Sequence, residues 1–168
     1  MINEKILDYV DGISQLAGKF VWWFPLIGGV LLCVEVVARY VFSSPIDWVP
    51  LVSSEILAVF YFLVGAYTLH FKGHVAMDIF SNKLSKKRQA VLEICTFLFF
   101  ILFFGVLLWT SFEEAVFSVK ILETTPPPWL GPLWPVKVFM VLGVFLVVLQ
   151  GISNLCRNIN VVFKTGEL

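Results

Sequence analysis

Phe20-Val21-Trp22-Trp23-Phe24-Pro25-Leu26-Ile27-Gly28-Gly29-Val30-Leu31-Leu32-Cys33-Val34-Glu35-Val36-Val37-Ala38-Arg39-Tyr40-Val41-Phe42 is a continuous apolar run interrupted by two charges, Glu35 and Arg39. About 20 predominantly apolar residues in helical conformation cross a hydrocarbon core of roughly 30 Å, so the run reads as a membrane span. Three more follow it: Pro50 to Leu69, Ala90 to Trp109 with a possible continuation to Val119, and Leu133 to Cys156. In the second, Ser53, Ser54 and Glu55 stand near the start and leave a strictly apolar stretch from Ile56 to Leu69, which allows a tilted or re-entrant beginning. The sequence therefore predicts an all-α integral membrane protein with four transmembrane helices, over about 20–42, 50–69, 90–109 and 133–156, forming one domain across 20–156.

Composition supports the same class. The 168 residues are 59% apolar, 16% aromatic and only 14% charged, against about 25% charged in soluble domains. A chain of this length cannot bury that much apolar surface in one globular core. High hydrophobicity argues against intrinsic disorder. Twelve Lys+Arg balance twelve Asp+Glu, which leaves no net basic field for following phosphates and excludes nucleic acid as a partner. Cys33, Cys95 and Cys156 lie far apart in apolar surroundings, without the spacing of a disulfide framework or a zinc site.

Upstream of the first span, Ile2, Ile6, Val10, Ile13, Leu16, Ala17 and Phe20 recur at spacings of three and four, with Asn3, Glu4, Asp8, Asp11 and Gln15 mostly between them. This periodicity predicts an amphipathic helix over 1–19. The segment has no basic start followed by a short apolar block, so it does not read as a signal peptide. It is read as lying in the membrane interface against the lipid bilayer, the alternative being a cytoplasmic helix packed on protein.

Orientation follows from Lys and Arg in the short loops. The N-terminal segment holds Lys5 and Lys19, the loop after the second span holds Lys72, Lys83, Lys86, Lys87 and Arg88, and the tail at 157–168 holds Arg157 and Lys164. The opposite loops hold Lys120, with Lys137 just inside the fourth span. Both termini are thus expected to be cytoplasmic. Tryptophans prefer membrane–water interfaces; in this frame Trp22 and Trp23 mark the inner one, and Trp48, Trp109, Trp129 and Trp134 the outer one. The outer loop from Thr124 to Pro135 contains five prolines, which makes a stiff connector. No internal repeat suggests the paired halves of a complete secondary transporter.

Candidate chemistry rests on few residues. Glu35 and Arg39 are four apart with the acid first, the arrangement that forms a pair on one helix face, and Glu55 is a second candidate partner for Arg39. A charge in hydrocarbon costs about 2.5–3.5 kcal/mol on insertion scales, so these groups serve either a proton or substrate relay or a structural pair; the lack of further mid-membrane ionisable groups favours the pair. His70 and His74, also four apart, could take a metal only with Asp78 as a third ligand. No phosphate loop, nucleophile elbow or catalytic triad is present, so no enzymatic activity and no cofactor are expected.

Arg39-Tyr40-Val41-Phe42 closing the first span, Pro45 and Trp48 just after it, Glu55 opening the second span, Gly65-Ala66 within it, and Gly73-His74-Val75-Ala76-Met77-Asp78 after it resemble the small membrane subunit, DctQ type, of tripartite ATP-independent periplasmic (TRAP) transporters. The likeness extends over nearly the whole chain. It implies a multi-pass protein of the bacterial inner membrane, paired with a large multi-span subunit of the DctM type and served by a periplasmic substrate-binding protein. It further implies that the large subunit carries the substrate and sodium sites, that this subunit is an accessory scaffold, and that the cargo is a small carboxylate of the C4-dicarboxylate or sialic-acid type. Two other readings of the residues stay open: a stand-alone proton-coupled drug efflux transporter working through Glu35, and a haem- or quinone-binding membrane anchor.

Overall fold

The computed structural model describes residues 4–71, 86–126 and 131–164. Among these, five helices follow one another: α1 Glu4–Val21, α2 Phe24–Tyr40, α3 Trp48–His70, α4 Lys86–Ile121 and α5 Trp134–Lys164. Four helical stretches are long and apolar enough to cross a membrane, Leu7–Tyr40, Trp48–His70, Ile94–Ile121 and Trp134–Asn160.

The first apolar run is not one uninterrupted helix. It breaks at Trp22-Trp23, and α2 restarts with Pro25 in its first turn, where the missing N–H has no intrahelical partner to lose. Helix α2 ends in a tight reversal with Ser43 at φ 50° and the Ser44 N–H bonded to the Ala38 carbonyl at 3.0 Å. Pro45 then disfavours helix at Ser44. The second span has no re-entrant start: Ser53, Ser54 and Glu55 sit in the first turns of a continuous 23-residue helix, about 34 Å long.

Helix α4 has 36 residues and carries the third span on through Val119 to Ile121. It closes with Leu122 at φ 49° and the Glu123 N–H bonded to the Ser118 carbonyl at 3.0 Å, a left-handed cap that ends the helix sharply. The chain returns through a short antiparallel bridge between Thr124 and Pro132. Helix α5 continues past Cys156 to Lys164, so much of the expected tail is helical, and the Arg157 side chain is anchored to α1.

Helices α3 and α5 form the centre, with α4 packed along α5, α2 along α3, and α1 across both. Without a hydrophobic drive between helices in lipid, close approach of backbones does much of the work. Gly143 of α5 sits against the Phe62 backbone of α3, and Gly151 lies under the Phe100 ring of α4. Val21, Val59 and Leu63 make the buried apolar centre, covered by Phe24, Phe60, Val64, Val136 and Leu146. Helix α4 turns a broad apolar side outward, including Leu98, Phe99, Leu102, Phe103, Val106 and Trp109.

Candidate functional site

Polar groups gather at the two ends of the bundle. At the end carrying the α2–α3 and α4–α5 links, Arg39 Nε donates to Glu35 Oε1 at 2.6 Å, and its Nη2 lies 2.5 Å from the same oxygen. Glu35 is only 5% exposed, on the α2 side that also buries Gly28. The Arg39 side chain keeps 45% of its surface exposed. This is the within-helix pair that the four-residue spacing predicted. Glu55 does not join it; its Oε1 accepts from the Thr125 hydroxyl at 2.6 Å. That bond ties the proline-rich link to α3.

A second ion pair holds the same link. Lys137 Nζ donates to Glu123 Oε2 at 2.7 Å and to Glu114 Oε2 at 3.3 Å. The Lys137 ammonium holds the Glu123 carboxyl below its usual range. In sequence Lys137 read only as one outer charge, because nothing local marks its partners on α4 and in the loop. Tyr40 and Trp48 are exposed, as befits groups at a membrane interface. His74 and Asp78 lie outside the described residues, so the proposed grouping of His70, His74 and Asp78 does not enter the geometry.

His70 instead faces α1. Its Nδ1 is 3.2 Å from Asp11 Oδ1 and its Nε2 is 3.1 Å from Gln15 Nε2. Beside it is a cluster that sequence reading missed. Gln150 of α5 is fully buried; its Oε1 accepts from Ser14 at 2.7 Å and its Nε2 donates to Asp11 Oδ1 at 2.8 Å. Arg157 Nη2 donates to Asp11 Oδ2 at 2.5 Å, and Asn154 Nδ2 donates to the Leu69 carbonyl at 3.2 Å. Polar residues at 150, 154 and 157 share one helix face, which is a visible signal; their partners more than 130 residues away are not.

Glu35, Glu55, Asp11, Glu123, Arg39, Lys137 and Arg157 are thus all engaged with other groups of the same chain. The contacts that join different elements, at Glu55, Glu123 and Asp11, help fix how those elements sit against one another. Among the described residues, the hydroxyls of Ser53, Ser111 and Ser153 are buried without a partner; they lie on separate helices and form no common site.

Neither a curated protein nor a solved structure matches the chain. A family model does match, from residue 29 to residue 161, and the matched range takes in α2 from its first turns, α3, α4 and nearly all of α5, with α1 outside it. The match extends over well more than half of the sequence and agrees with four membrane-crossing helices. The chain belongs to the family of tripartite ATP-independent periplasmic transporters, DctQ component.

Proposed function

We propose that this chain is the accessory scaffold subunit of a sodium-coupled TRAP transporter that imports a small carboxylate, of the C4-dicarboxylate or sialic-acid type. Its partners in this reading are a large multi-span subunit, which holds the substrate and sodium sites, and a periplasmic binding protein that delivers the cargo. The observation that carries the reading is the state of Glu35. The only acid well inside the first span is bonded through its Oε1 by Arg39 from its own helix, which supports a structural pair rather than a transport site. A drug efflux transporter working through Glu35 would need that carboxylate open to its cargo.

The Lys and Arg distribution supports cytoplasmic termini, and membership of the family supports the inner membrane of a bacterium as the location. Helices α3 and α5 would then meet the outer face at Trp48 and Trp134. Affinity purification through a tag on this chain tests the proposal. A large membrane protein should copurify in stoichiometric amount and the preparation should lack haem colour; a pure homodimer that drives proton-coupled efflux would overturn the reading.

A further inference from the structure

Part of the polar side of α1 is spent on protein, on a face shared with buried Leu7 and Val21, while Asp8 and Lys19 stay exposed. Asp11 and Ser14 are buried against Gln150, and Gly18 lies so close to the Tyr67 ring that no side chain would fit there. Ile13, Leu16 and Phe20 point away from the bundle, as do Trp22 and Trp23 at the joint with α2. A surface helix on a soluble protein usually hides its apolar stripe and wets its polar one; here Asp11 and Ser14 are hidden while Ile13, Leu16 and Phe20 are left outside.

Two rulers place this helix in depth. From Trp134 to Asn154, and from Trp48 to Thr68, there are twenty residues of helix, about 30 Å, which is the hydrocarbon thickness. Gln150, Asn154 and His70 therefore stand near the membrane face opposite the tryptophans that start α3 and α5. The outward apolar residues of α2, Leu26, Ile27 and Val30, are preceded along the chain by exposed Trp23, Trp22, Phe20 and Leu16, with Lys19 exposed among them. The lipid-facing band of the spans thus continues onto α1.

We infer that α1 is a collar clamped to the ends of α3 and α5 through Gln150, and that its outward face is occupied by lipid at the boundary between headgroups and acyl chains. Gln150 is the positioning residue. It takes two different α1 groups with one amide, Ser14 as donor and Asp11 as acceptor, so it fixes both the rotation of α1 and its place along α5. An aliphatic side chain of similar volume would fill the space without choosing a rotation. Arg157, His70 and Asn154 brace the same junction. A helix held in this way adds apolar surface in one leaflet and resists movement of the bundle along the membrane normal.

The test uses the full chain in nanodiscs of phosphatidylethanolamine and phosphatidylglycerol, with the native cysteines replaced by serine and a nitroxide attached to Leu16→Cys. Leu102→Cys supplies a reference on the outward side of α4, and Thr124→Cys an exposed link reference. The label at position 16 should collide with oxygen several-fold more readily than with a polar nickel chelate, as at position 102. Nickel access equal to that at position 124, or shielding from both reagents by protein, would overturn the assignment. Gln150→Leu should raise label mobility and nickel access at position 16, with Ser14→Ala giving a smaller change in the same direction; unchanged spectra in both variants would show that the clamp does not position α1. The readout needs neither large subunit nor substrate, so its failure is distinguishable from failure of the copurification test.

Discussion

Substituting Gly143 by alanine probes the contact at the centre of the bundle. A Cβ built there lies 2.5 Å from the Phe62 carbonyl oxygen and 2.6 Å from its carbonyl carbon, both backbone atoms of α3. No rotamer change can relieve a backbone clash, so the two helices must separate locally, by about 1 Å to reach ordinary contact. Overpacking of this kind costs about 1–3 kcal/mol, while replacing a helical glycine by alanine returns roughly 0.5–1 kcal/mol of conformational entropy. The net expectation is a loss of about 1–2 kcal/mol, or close to tenfold in the folding equilibrium. Gly105 of α4 is the control, because nothing lies within 4 Å of a Cβ built there. Gly105→Ala should therefore be neutral or stabilising by at most about 1 kcal/mol. Both variants can be compared by titrating mixed micelles with sodium dodecyl sulfate and following helix content by circular dichroism. If Gly143→Ala proves as stable as Gly105→Ala, α3 and α5 do not approach as described, and the packing derived from that contact is wrong.

Arg39→Ala strands the buried Glu35 carboxylate. Loss of one partner of a fully buried pair costs about 3–5 kcal/mol, and the half-exposure of Arg39 reduces the expectation to about 1–3 kcal/mol; the double change Glu35→Gln with Arg39→Gln should recover much of it in the same titration. Thr125→Ala removes the donor to Glu55 and should loosen the α4–α5 link, read as faster limited proteolysis near Glu123, with a stability loss of about 1–2 kcal/mol. The depressed Glu123 carboxyl makes its bond to Lys137 a stabilising contribution that is present above the ordinary glutamate value of 4.5 and lost as pH falls through its lowered value. Lys137→Met should therefore flatten the acid side of the stability profile, and an unchanged profile would remove that pair from the account of loop stability.

How far the structure could be read from sequence differs from residue to residue. Each span was legible because lipid demands about 20 apolar residues in a row, a signal as strong in Phe20–Phe42 as in Leu133–Cys156. Helix ends were less so, since α5 runs on to Lys164 and α4 to Ile121 through residues whose polarity no longer depends on the hydrocarbon. The break at Trp22-Trp23 was hidden because both flanks are apolar. Glu35 with Arg39 was legible at once, being a local four-residue spacing. Thr125 with Glu55 was not, at a separation of 70 residues, nor was Gln150 with Ser14 and Asp11, at 136 and 139. The amphipathic helix was found from its periodicity, yet which of its faces meets protein depends on polar partners in α3 and α5 that periodicity does not encode.

The proposed division of labour between this subunit and a large membrane partner is tested most directly by the sodium dependence of uptake in vesicles holding all three proposed components, measured with native chain and with Glu35→Gln. The half-saturating sodium concentration and the steepness of the sodium curve should be the same for both, even where weaker assembly lowers the maximal rate. A shifted or flattened sodium curve in Glu35→Gln, or uptake of the carboxylate by this chain reconstituted alone, would place a transport site within the helices assigned here to scaffolding.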